Sequence, residues 1–336
     1  METGKMAEAF LKPETYDEKV SGKIDMLQTH ISWVFLTGSH AYKVKKPVNF
    51  GFLDFTTLEK RKRFCQLELE LNRRLSPEIY LDVLPVTEKK SGIKINGTGN
   101  IVEYALKMRQ LPQEMLMNRL LDRKAVDEKT IGKIARAIAD FHLKAETSKE
   151  IASYGSPENI LFNWEENFRQ TEEFVPEVMP MGDFAFAEKK VKGFIKNNAE
   201  LFRKRMEEGK IRRIHGDLHS GNIFIVGGKP QIFDCIEFND RFSCMDVLAD
   251  VAFLSMDLDY KGDEKLSAFL VKKYGEKSMD NDMQRLLGFY KCYYAWVRGK
   301  VTAFRLKERL PADEKGRITE TSKKYFRLAL DCLKKL

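Results

Sequence analysis

Residues 215–234, HGDLHSGNIFIVGGKPQIFD, constrain the fold more than any other stretch of this sequence. Two short apolar runs, IFIV and QIFD, flank the turn GGKP, whose glycines tolerate positive φ, so the pattern predicts a β-hairpin. Pairing across a four-residue turn sets Ile223 opposite Asp234 and brings Asn222 beside Asp234. A two-residue Gly-Gly turn shifts the pairing slightly but keeps Asn222 and Asp234 neighbours. An amide oxygen and a carboxylate are hard ligands of the kind that Mg²⁺ takes in proteins.

The sequence on either side of residue 110 differs in its predicted secondary structure. ISWVFLTGSHAYKVKKPV is typical of a β-hairpin. TTLEKRKRFCQLELELNRRL predicts a helix behind a threonine cap, with an apolar stripe at positions 64, 67, 71 and 75. Further strands follow as far as Met108, and from Pro112 onward the pattern is mainly helical. We therefore expect an α+β fold with an N-terminal lobe at residues 1–110 and a C-terminal lobe at residues 111–336.

Composition limits the classes of partner and compartment. The chain has 336 residues, a net charge of +8 and five cysteines without a Cys-x-x-Cys motif. Its basic residues are spread out, so we expect anionic small molecules rather than nucleic acid as partners. The N-terminus lacks a signal-peptide core, and no stretch reaches the about 20 apolar residues that span a membrane. We expect a cytoplasmic protein with reduced thiols and no membrane partner.

Asp217 lies five residues before Asn222, and a hairpin separates both from Asp234. This is the spacing of a kinase catalytic loop and its metal-binding aspartate. Asp217 is then the base that accepts or orients the proton of an attacking hydroxyl, and Asn222 and Asp234 hold Mg²⁺. An alternative takes His215, Asp217 and His219 as zinc ligands on a strand, but that site needs further ligands that no paired motif supplies.

HGDLHSGN followed by IFDCIEF resembles the aminoglycoside phosphotransferase and choline kinase group, which are small-molecule kinases. The resemblance implies a bilobal protein-kinase-like fold, with a β-rich N-lobe that binds nucleotide and a mostly helical, catalytic C-lobe. It also implies ATP and Mg²⁺ as cofactors, bound between the lobes.

Two further segments, YKVKKPVNFGFLDFTTLEKR and DRFSCMDVLADVAFLSMDL, are similar to an uncharacterised bacterial and archaeal branch of that group. Members of that branch are often fused to a P-loop kinase-like domain. No Gly-x-x-x-x-Gly-Lys-[Ser/Thr] motif occurs here, so we expect this chain to be the first half standing alone.

A kinase of this fold needs a strand lysine on the nucleotide phosphates and a helical glutamate paired with it. Alternation along AYKVKK places Lys43 and Lys45 on one face of the strand. The resemblance favours Lys43, with Lys45 as the second choice. The following helix offers Glu68 or, as the alternative, Glu70.

Other residues are expected to play lesser parts. FLTGSHAYK has one glycine, so phosphate contact there is assigned to Ser39 and neighbouring amides. KMRQLP is expected to carry the backbone groups that bind adenine. His142 and His215 are expected to be structural, hydrogen-bonded histidines. Asp246 and Asp250 are expected to stabilise the catalytic loop or cap a helix, and Arg298 to reach an anionic substrate.

The predicted function is an ATP- and Mg²⁺-dependent transfer of phosphate to a hydroxyl of a small molecule. The acceptor is expected to be an anionic compound, a sugar or a nucleoside, and the choice between ATP and GTP stays open. The alternative is a catalytically idle, kinase-like module that binds nucleotide or regulates a partner.

Overall fold

The structure is a computed structural model that describes residues 3–20, 22–90 and 92–336. The chain divides into two compact units, one rich in strands and one mainly helical. The first unit comprises Met1–Leu116, Phe224–Gly227 and Gln231–Asp240; the second comprises Met117–Ile223, Gly228–Pro230 and Arg241–Leu336. The assignment of nucleotide binding to residues 1–110 and of catalysis to residues 111–336 stays a prediction.

Within the described part of the first unit, six strands form one antiparallel sheet in the order β1-β2-β3-β6-β4-β5. The strands are β1 (Asp25–Gln28), β2 (Ser32–Leu36), β3 (His40–Lys45), β4 (Tyr80–Lys89), β5 (Gly92–Ile95) and β6 (Asn100–Arg109). The predicted hairpin between residues 31 and 48 is confirmed as β2 and β3, which pair from Ser32↔Lys45 to Leu36↔Ala41.

The two faces of this sheet are covered by different helices. Tyr42 and Val44 of β3 belong to a hydrophobic cluster that includes Phe10, the last residue of helix α1 (Thr3–Phe10). Ala41 belongs to a second cluster, against which Leu69 packs. Because side chains alternate along a strand, the odd-numbered lysines of β3 share the face of Ala41.

Helix α2 (Leu58–Arg73) covers that second face, and its prediction is confirmed. Thr57 caps it by accepting a hydrogen bond from the amide of Lys60, a contact worth about 1 kcal/mol. The predicted apolar stripe is partly right, because Phe64 and Leu67 are only half-buried. The buried residues are Arg61, Cys65, Glu68, Leu71 and Asn72. An apolar stripe does not predict the burial of Arg61, Glu68 and Asn72, because these side chains are buried together with polar partners in the first unit.

The second unit is mainly helical. Its helices are α3 (Met117–Asp122), α4 (Glu128–Lys144), α5 (Lys149–Ser153), α6 (Pro157–Glu172), α7 (Met181–Asn197), α8 (Ala199–Glu207), α9 (Asp240–Ser243, which begins at the end of the first unit), α10 (Leu248–Tyr260), α11 (Glu264–Ser278), α12 (Met283–Phe304) and α13 (Ala312–Lys334). Helix α10 is buried on every side from Leu248 to Leu258. Trp164 of α6 and Trp296 of α12 are fully buried and contact each other edge to face. Among the described residues, no helix has the length and apolarity of a membrane span.

Four short strands complete the fold. β7 (Ile211–Arg213) pairs antiparallel with β10 (Cys244–Asp246), and β8 (Ile223–Val226) pairs with β9 (Lys229–Ile232). The β8–β9 hairpin is confirmed, but its turn is Gly227–Gly228, with positive φ at both residues. The sequence allows both a four-residue and a two-residue turn, and two consecutive glycines favour the two-residue turn. Asp234 therefore lies beyond the end of β9 rather than opposite Ile223, as the longer loop would require.

Candidate active site

Lys43 and Lys45 of β3 both reach the same carboxylate of α2. Lys43 Nζ lies 2.6 Å from Glu68 Oε1, and Lys45 Nζ lies 2.6 Å from Glu68 Oε2. Glu70 is exposed, since it lies on the outer side of the helix. Glu68 is therefore the acidic partner of both lysines, and the role of this group toward a nucleotide stays a prediction.

The two lysines differ in their second partner and in their exposure. Lys43 Nζ also lies 2.6 Å from Asp234 Oδ1, whereas Lys45 Nζ contacts Glu237 Oε1. The Lys43 side chain is 12% exposed and that of Asp234 is 40% exposed, but the Lys45 side chain is only 1% exposed. Lys43 is therefore the lysine that stands next to the predicted metal ligand, and Lys45 is enclosed.

Glu68, Asp234 and Glu237 contribute three carboxylates to this cluster, and Lys43 and Lys45 contribute two ammonium groups. The negative charges therefore outnumber the positive ones when every group is ionised. Burial favours the neutral form of Glu68, but Lys43 and Lys45 outweigh it and lower the pKa of Glu68 to about 2. Burial raises the pKa of Glu237 above its ordinary value, and although Lys45 opposes this shift, Glu68 adds to it. Glu68 is thus a fixed anion between two cations, while Glu237 is the carboxylate that protonates more readily.

Asp234 is held in an unusual backbone conformation. Its φ is +69°, a left-handed value that aspartate tolerates better than most residues. The amide of Asp234 donates to the Tyr80 hydroxyl at 3.0 Å, and the amide of Cys235 donates to Asn72 Oδ1 at 2.8 Å. A residue held this way against its backbone preference is typical of functional sites.

Three residues of this region were missed by sequence reasoning: Asn72, Tyr80 and Glu237. Asn72 is a polar residue on the buried side of α2, one turn from Glu68. Its side-chain Nδ2 donates to the backbone carbonyl of Glu68 at 2.8 Å. Glu237 lies between the apolar Ile236 and Phe238. A lone polar residue in an apolar setting is the signal that marks both.

Ser39 lies in the exposed loop between β2 and β3, and its hydroxyl is 3.1 Å from His40 Nδ1. The amide of Gly38 donates to Gln110 Oε1 at 2.9 Å, and the amide of Gln110 donates to the Ser39 carbonyl at 3.1 Å. Gln110 therefore holds this loop and engages one of the amides expected to contact phosphate. Phosphate contact by Ser39 stays a prediction.

Asp217 and Asn222 meet in the loop of the second unit that precedes β8. Asn222 Nδ2 donates to both the carbonyl and the Oδ2 atom of Asp217, each at 3.0 Å. Asn222 is buried, whereas the Asp217 side chain is 39% exposed and accessible to a substrate. Because the nitrogen of the Asn222 amide is bound to Asp217, the oxygen is the atom that could bind a cation.

The Asp217 carboxylate is kept ionised. Burial would raise its pKa, but His219, Arg298 and His215 outweigh burial and hold it well below the ordinary value. His219 Nε2 lies 3.6 Å from Asp217 Oδ2. An ionised carboxylate at neutral pH can accept or orient the proton of a hydroxyl group, although its low basicity favours orientation.

The loop before Asp217 is fixed by Asp250 of α10. Asp250 Oδ2 accepts from the amide of His215 at 2.9 Å, and its Oδ1 accepts from the amide of Gly216 at 2.9 Å. Gly216 has a φ of +84°, which glycine adopts without strain. His142 Nε2 lies 3.0 Å from Asp250 Oδ2, and its Nδ1 lies 2.9 Å from the Tyr274 hydroxyl. The structural roles expected of His142 and Asp250 are confirmed.

Asp246 has a different part from Asp250. It forms a bidentate ion pair with Arg205, whose guanidinium is fully buried and also binds Asp280. Ser220, in the same loop as Asp217, donates its amide to Asp257 Oδ2 at 2.8 Å. Asp257 is therefore a further positioning residue that sequence reasoning missed.

The expected zinc alternative finds no support. No group of three or more His, Cys, Asp or Glu side chains in the described ranges is arranged to hold a metal ion. His215 Nδ1 instead accepts a hydrogen bond from the amide of Asp217 at 3.2 Å. The histidine thus braces the loop, as predicted.

Comparison with known proteins identifies the family. Residues 93–289 match the phosphotransferase enzyme family, APH. Uncharacterized proteins of Mycobacterium tuberculosis and Mycobacterium bovis are 32% identical over 288 residues, which is 86% of this chain and 56% of each relative. The chain belongs to the phosphotransferase enzyme family. It spans little more than half the length of these relatives.

A solved structure supports the fold assignment. A choline/ethanolamine kinase family protein from Mesorhizobium loti superposes with a TM-score of 0.55 at 12% identity, covering 99% of this chain and 100% of that one. An ADP-bound aminoglycoside phosphotransferase, APH(2″)-Ib, gives a TM-score of 0.49 at 13% identity over 92% of this chain and 95% of its own. The α+β, kinase-like fold class predicted for this family member is confirmed.

Proposed function

We propose that this phosphotransferase moves the γ-phosphate of ATP to a hydroxyl group of a small molecule. The observation that carries the proposal is the position of the Lys43 amino group, which Glu68 and Asp234 share at 2.6 Å each. A kinase needs a strand lysine that a glutamate holds in place, close to a carboxylate that binds metal. Lys43 is assigned to the phosphates, and Lys45 supports Glu68 from the buried side.

Asp217 and Asn222 supply the groups that act on the acceptor. Asp217 is ionised and partly exposed, and Asn222 fixes its carboxylate by the hydrogen bond at 3.0 Å. The acceptor oxygen forms a bond to the γ-phosphorus while the bond from that phosphorus to the β,γ-bridging oxygen breaks. ADP leaves with the electron pair. Asp217 first orients the hydroxyl, whose proton becomes acidic as the new bond forms and then passes to this weakly basic carboxylate and on to solvent.

Each of the two residues predicted as metal ligands has the chemistry that Mg²⁺ prefers. Asn222 offers an amide oxygen, and Asp234 offers a carboxylate that is 40% exposed. Mg²⁺ takes few protein ligands and completes its shell with water and phosphate oxygens. When bound, it offsets the negative charge of the phosphates.

The proposal includes a cytoplasmic setting and a small-molecule partner. None of the five cysteines, all of which lie in the described ranges, forms a disulfide, and this suits a reducing compartment. The fold neighbours are named as choline/ethanolamine kinase and aminoglycoside phosphotransferase, and enzymes so named act on small molecules.

A transfer assay tests this function. The purified chain is incubated with Mg²⁺ and ATP labelled on the γ-phosphate, together with a library of hydroxyl-bearing metabolites, and labelled products are separated. We expect at least one labelled product that disappears when EDTA removes Mg²⁺. Thermal stabilisation by Mg·ATP without any labelled product would favour the idle nucleotide-binding module instead, and failure to bind Mg·ATP would contradict both.

A further inference from the structure

Arg298 of α12 is a half-buried cation that the proposed chemistry does not yet use. Burial would lower its pKa, but Tyr325 and Asp217 outweigh burial and raise it, so the guanidinium stays charged. Among the ion pairs within 4.0 Å that the described residues form, none involves Arg298. A partly buried charge without an ion pair is costly, which suggests that a ligand completes it.

Arg298 lies one turn of α12 after Tyr294, whose hydroxyl donates to the carbonyl of Gly216 at 3.5 Å, directly before the proposed base Asp217. Its charge lowers the pKa of Asp217, and the charge of Asp217 raises that of Arg298. Its guanidinium carbon lies over the Tyr325 ring, 5.7 Å from the ring centre. Asp257, which also acts on Arg298, uses its Oδ2 atom for the amide of Ser220 in the loop of Asp217. Arg298 is therefore fixed beside the loop that would receive the acceptor hydroxyl.

The aromatic groups around Arg298 already carry cations of the protein itself. Tyr325 stacks on Tyr260 with ring centres 3.8 Å apart and planes 10° from parallel. Lys324 Nζ lies 4.1 Å from the centre of the Tyr260 ring, and Arg298 lies over Tyr325. A cationic ligand binds best on open aromatic faces. Here it would have to displace Lys324 or approach the like charge of Arg298.

We propose that Arg298 binds an anionic group, a phosphate or a carboxylate, of the acceptor whose hydroxyl is presented to Asp217. This rests on the proposed function and narrows its substrate class to hydroxylated anions. A guanidinium suits this part because its planar set of donors matches the two oxygens of either group. The acceptor class thus differs from the positively charged choline or aminoglycosides.

Binding of a matched pair of probes tests the proposal. A non-hydrolysable ATP analogue with Mg²⁺ first occupies the γ-phosphate position, so that a free anion cannot occupy it. Glycerol 3-phosphate, glycerate and glycerol are then titrated at constant ionic strength by calorimetry. We expect the wild-type chain to bind one or both anions and not glycerol, and the two anions separate a phosphate site from a carboxylate site.

The variants show which residue binds the anion. Arg298→Gln should weaken anion binding by at least about 10-fold, the equivalent of losing about 1.4 kcal/mol. Arg298→Lys keeps the charge and should bind with intermediate affinity. Arg285→Gln is the matched control: it removes the same charge from an exposed position of α12 and should bind anions like the wild type.

Two outcomes would overturn the inference: no anion binding by the wild-type chain, or equal binding by the wild type and Arg298→Gln. If Arg298→Gln fails to fold, Arg298→Lys serves instead, and unchanged affinity in it would count against the role of the guanidinium. Failure of the proposed function has a different readout. Anion binding that depends on Arg298, without any phosphate transfer, would contradict the proposed kinase activity but support the anion site. Phosphate transfer only to neutral or cationic acceptors would support the kinase activity but contradict the anion site.

Discussion

The amino group of Lys43 lies 2.6 Å from the carboxylate oxygen of Asp234, a residue 191 positions later in the chain. Both side chains retain some exposure, at 12% and 40%. The lysine proposed for the phosphates and the carboxylate proposed for the metal therefore form one electrostatic unit. A change in the charge of either one alters the environment of the other.

Replacing each lysine of β3 should separate their roles. Lys43→Gln should lower kcat/KM for ATP by about 10²- to 10³-fold with little loss of stability, because Lys45 still compensates Glu68. Lys45→Gln should instead lower the free energy of unfolding by about 3–5 kcal/mol, because Glu237 loses the partner that it contacts inside the unit. Steady-state kinetics and urea unfolding measure the two effects, and the reverse pattern would exchange the roles of the lysines.

Glu68 and Glu237, the two buried glutamates of the cluster, should differ in how much their replacement lowers the free energy of unfolding. Glu68→Gln removes the contact of both lysines and should cost about 3–5 kcal/mol of unfolding free energy, whereas Glu237→Gln should cost clearly less. The reason is that burial and Glu68 already raise the pKa of Glu237. Equal losses in urea unfolding at pH 7 would contradict this description of the cluster.

The same cluster predicts a pH dependence with a definite sign. The pKa of Glu68 is about 2 in the folded chain, below its ordinary value of 4.5. Its contribution to stability is therefore present above pH 4.5 and is lost as the pH falls toward 2. The stability difference between the wild type and Glu68→Gln should shrink over that interval.

Much of this site follows from local sequence, and the rest does not. Strand alternation placed Lys43 and Lys45 on one face, and the Asp-x-x-x-x-Asn spacing joined Asp217 to Asn222, because both relations span a few residues. The contact of Asn72 with the amide of Cys235 bridges 163 positions. Such pairing depends on how α2 meets a distant loop, which no local pattern encodes.

The hairpin shows a second limit of the sequence. GGKP allows either a four-residue or a two-residue turn, and two glycines with positive φ are enough for the two-residue turn. Lys229 and Pro230 then join the second strand, and Asp234 moves beyond its end. Backbone geometry decides the length of the turn, and the sequence GGKP is compatible with both the two-residue and the four-residue turn.

Asp250 should affect turnover through the loop that it holds. In Asp250→Asn, an NH₂ group replaces one of the two carboxylate oxygens that accept hydrogen bonds from backbone amides. The amide of either His215 or Gly216 therefore loses its acceptor. We expect kcat to fall about 100-fold, as for a small displacement of a catalytic group, while the dissociation constant of Mg·ATP stays unchanged. Tyr274→Phe removes only the hydrogen bond to His142 and should have a much smaller effect. A similar kcat in the wild type and Asp250→Asn would remove Asp250 from the positioning network.

Because the pKa of Lys300 in α12 is lowered, we expect the free energy of unfolding to rise at alkaline pH. Its amino group donates to Asn167 Oδ1 and Gln170 Oε1, each at 2.6 Å, and burial lowers its pKa to about 8 from an ordinary 10.5. Between these values the unfolded chain holds more protons, so raising the pH favours the folded chain. Relative to Lys300→Met, the wild type should gain at most about 1.4 kcal/mol per pH unit over that range. A flat difference in urea unfolding from pH 8 to 10.5 would refute this.

In the proposed reaction, the Asp217 carboxylate serves the transfer of phosphate and not the binding of nucleotide. The most direct measurement compares the wild type with Asp217→Asn, which keeps the shape of the side chain, in the rate of label transfer from Mg·ATP to the acceptor and in the dissociation constant of Mg·ADP. We predict that transfer falls by about 10³-fold or more, a loss of about 4 kcal/mol of transition-state stabilisation, while the dissociation constant changes little. Transfer at the wild-type rate by Asp217→Asn would contradict the account.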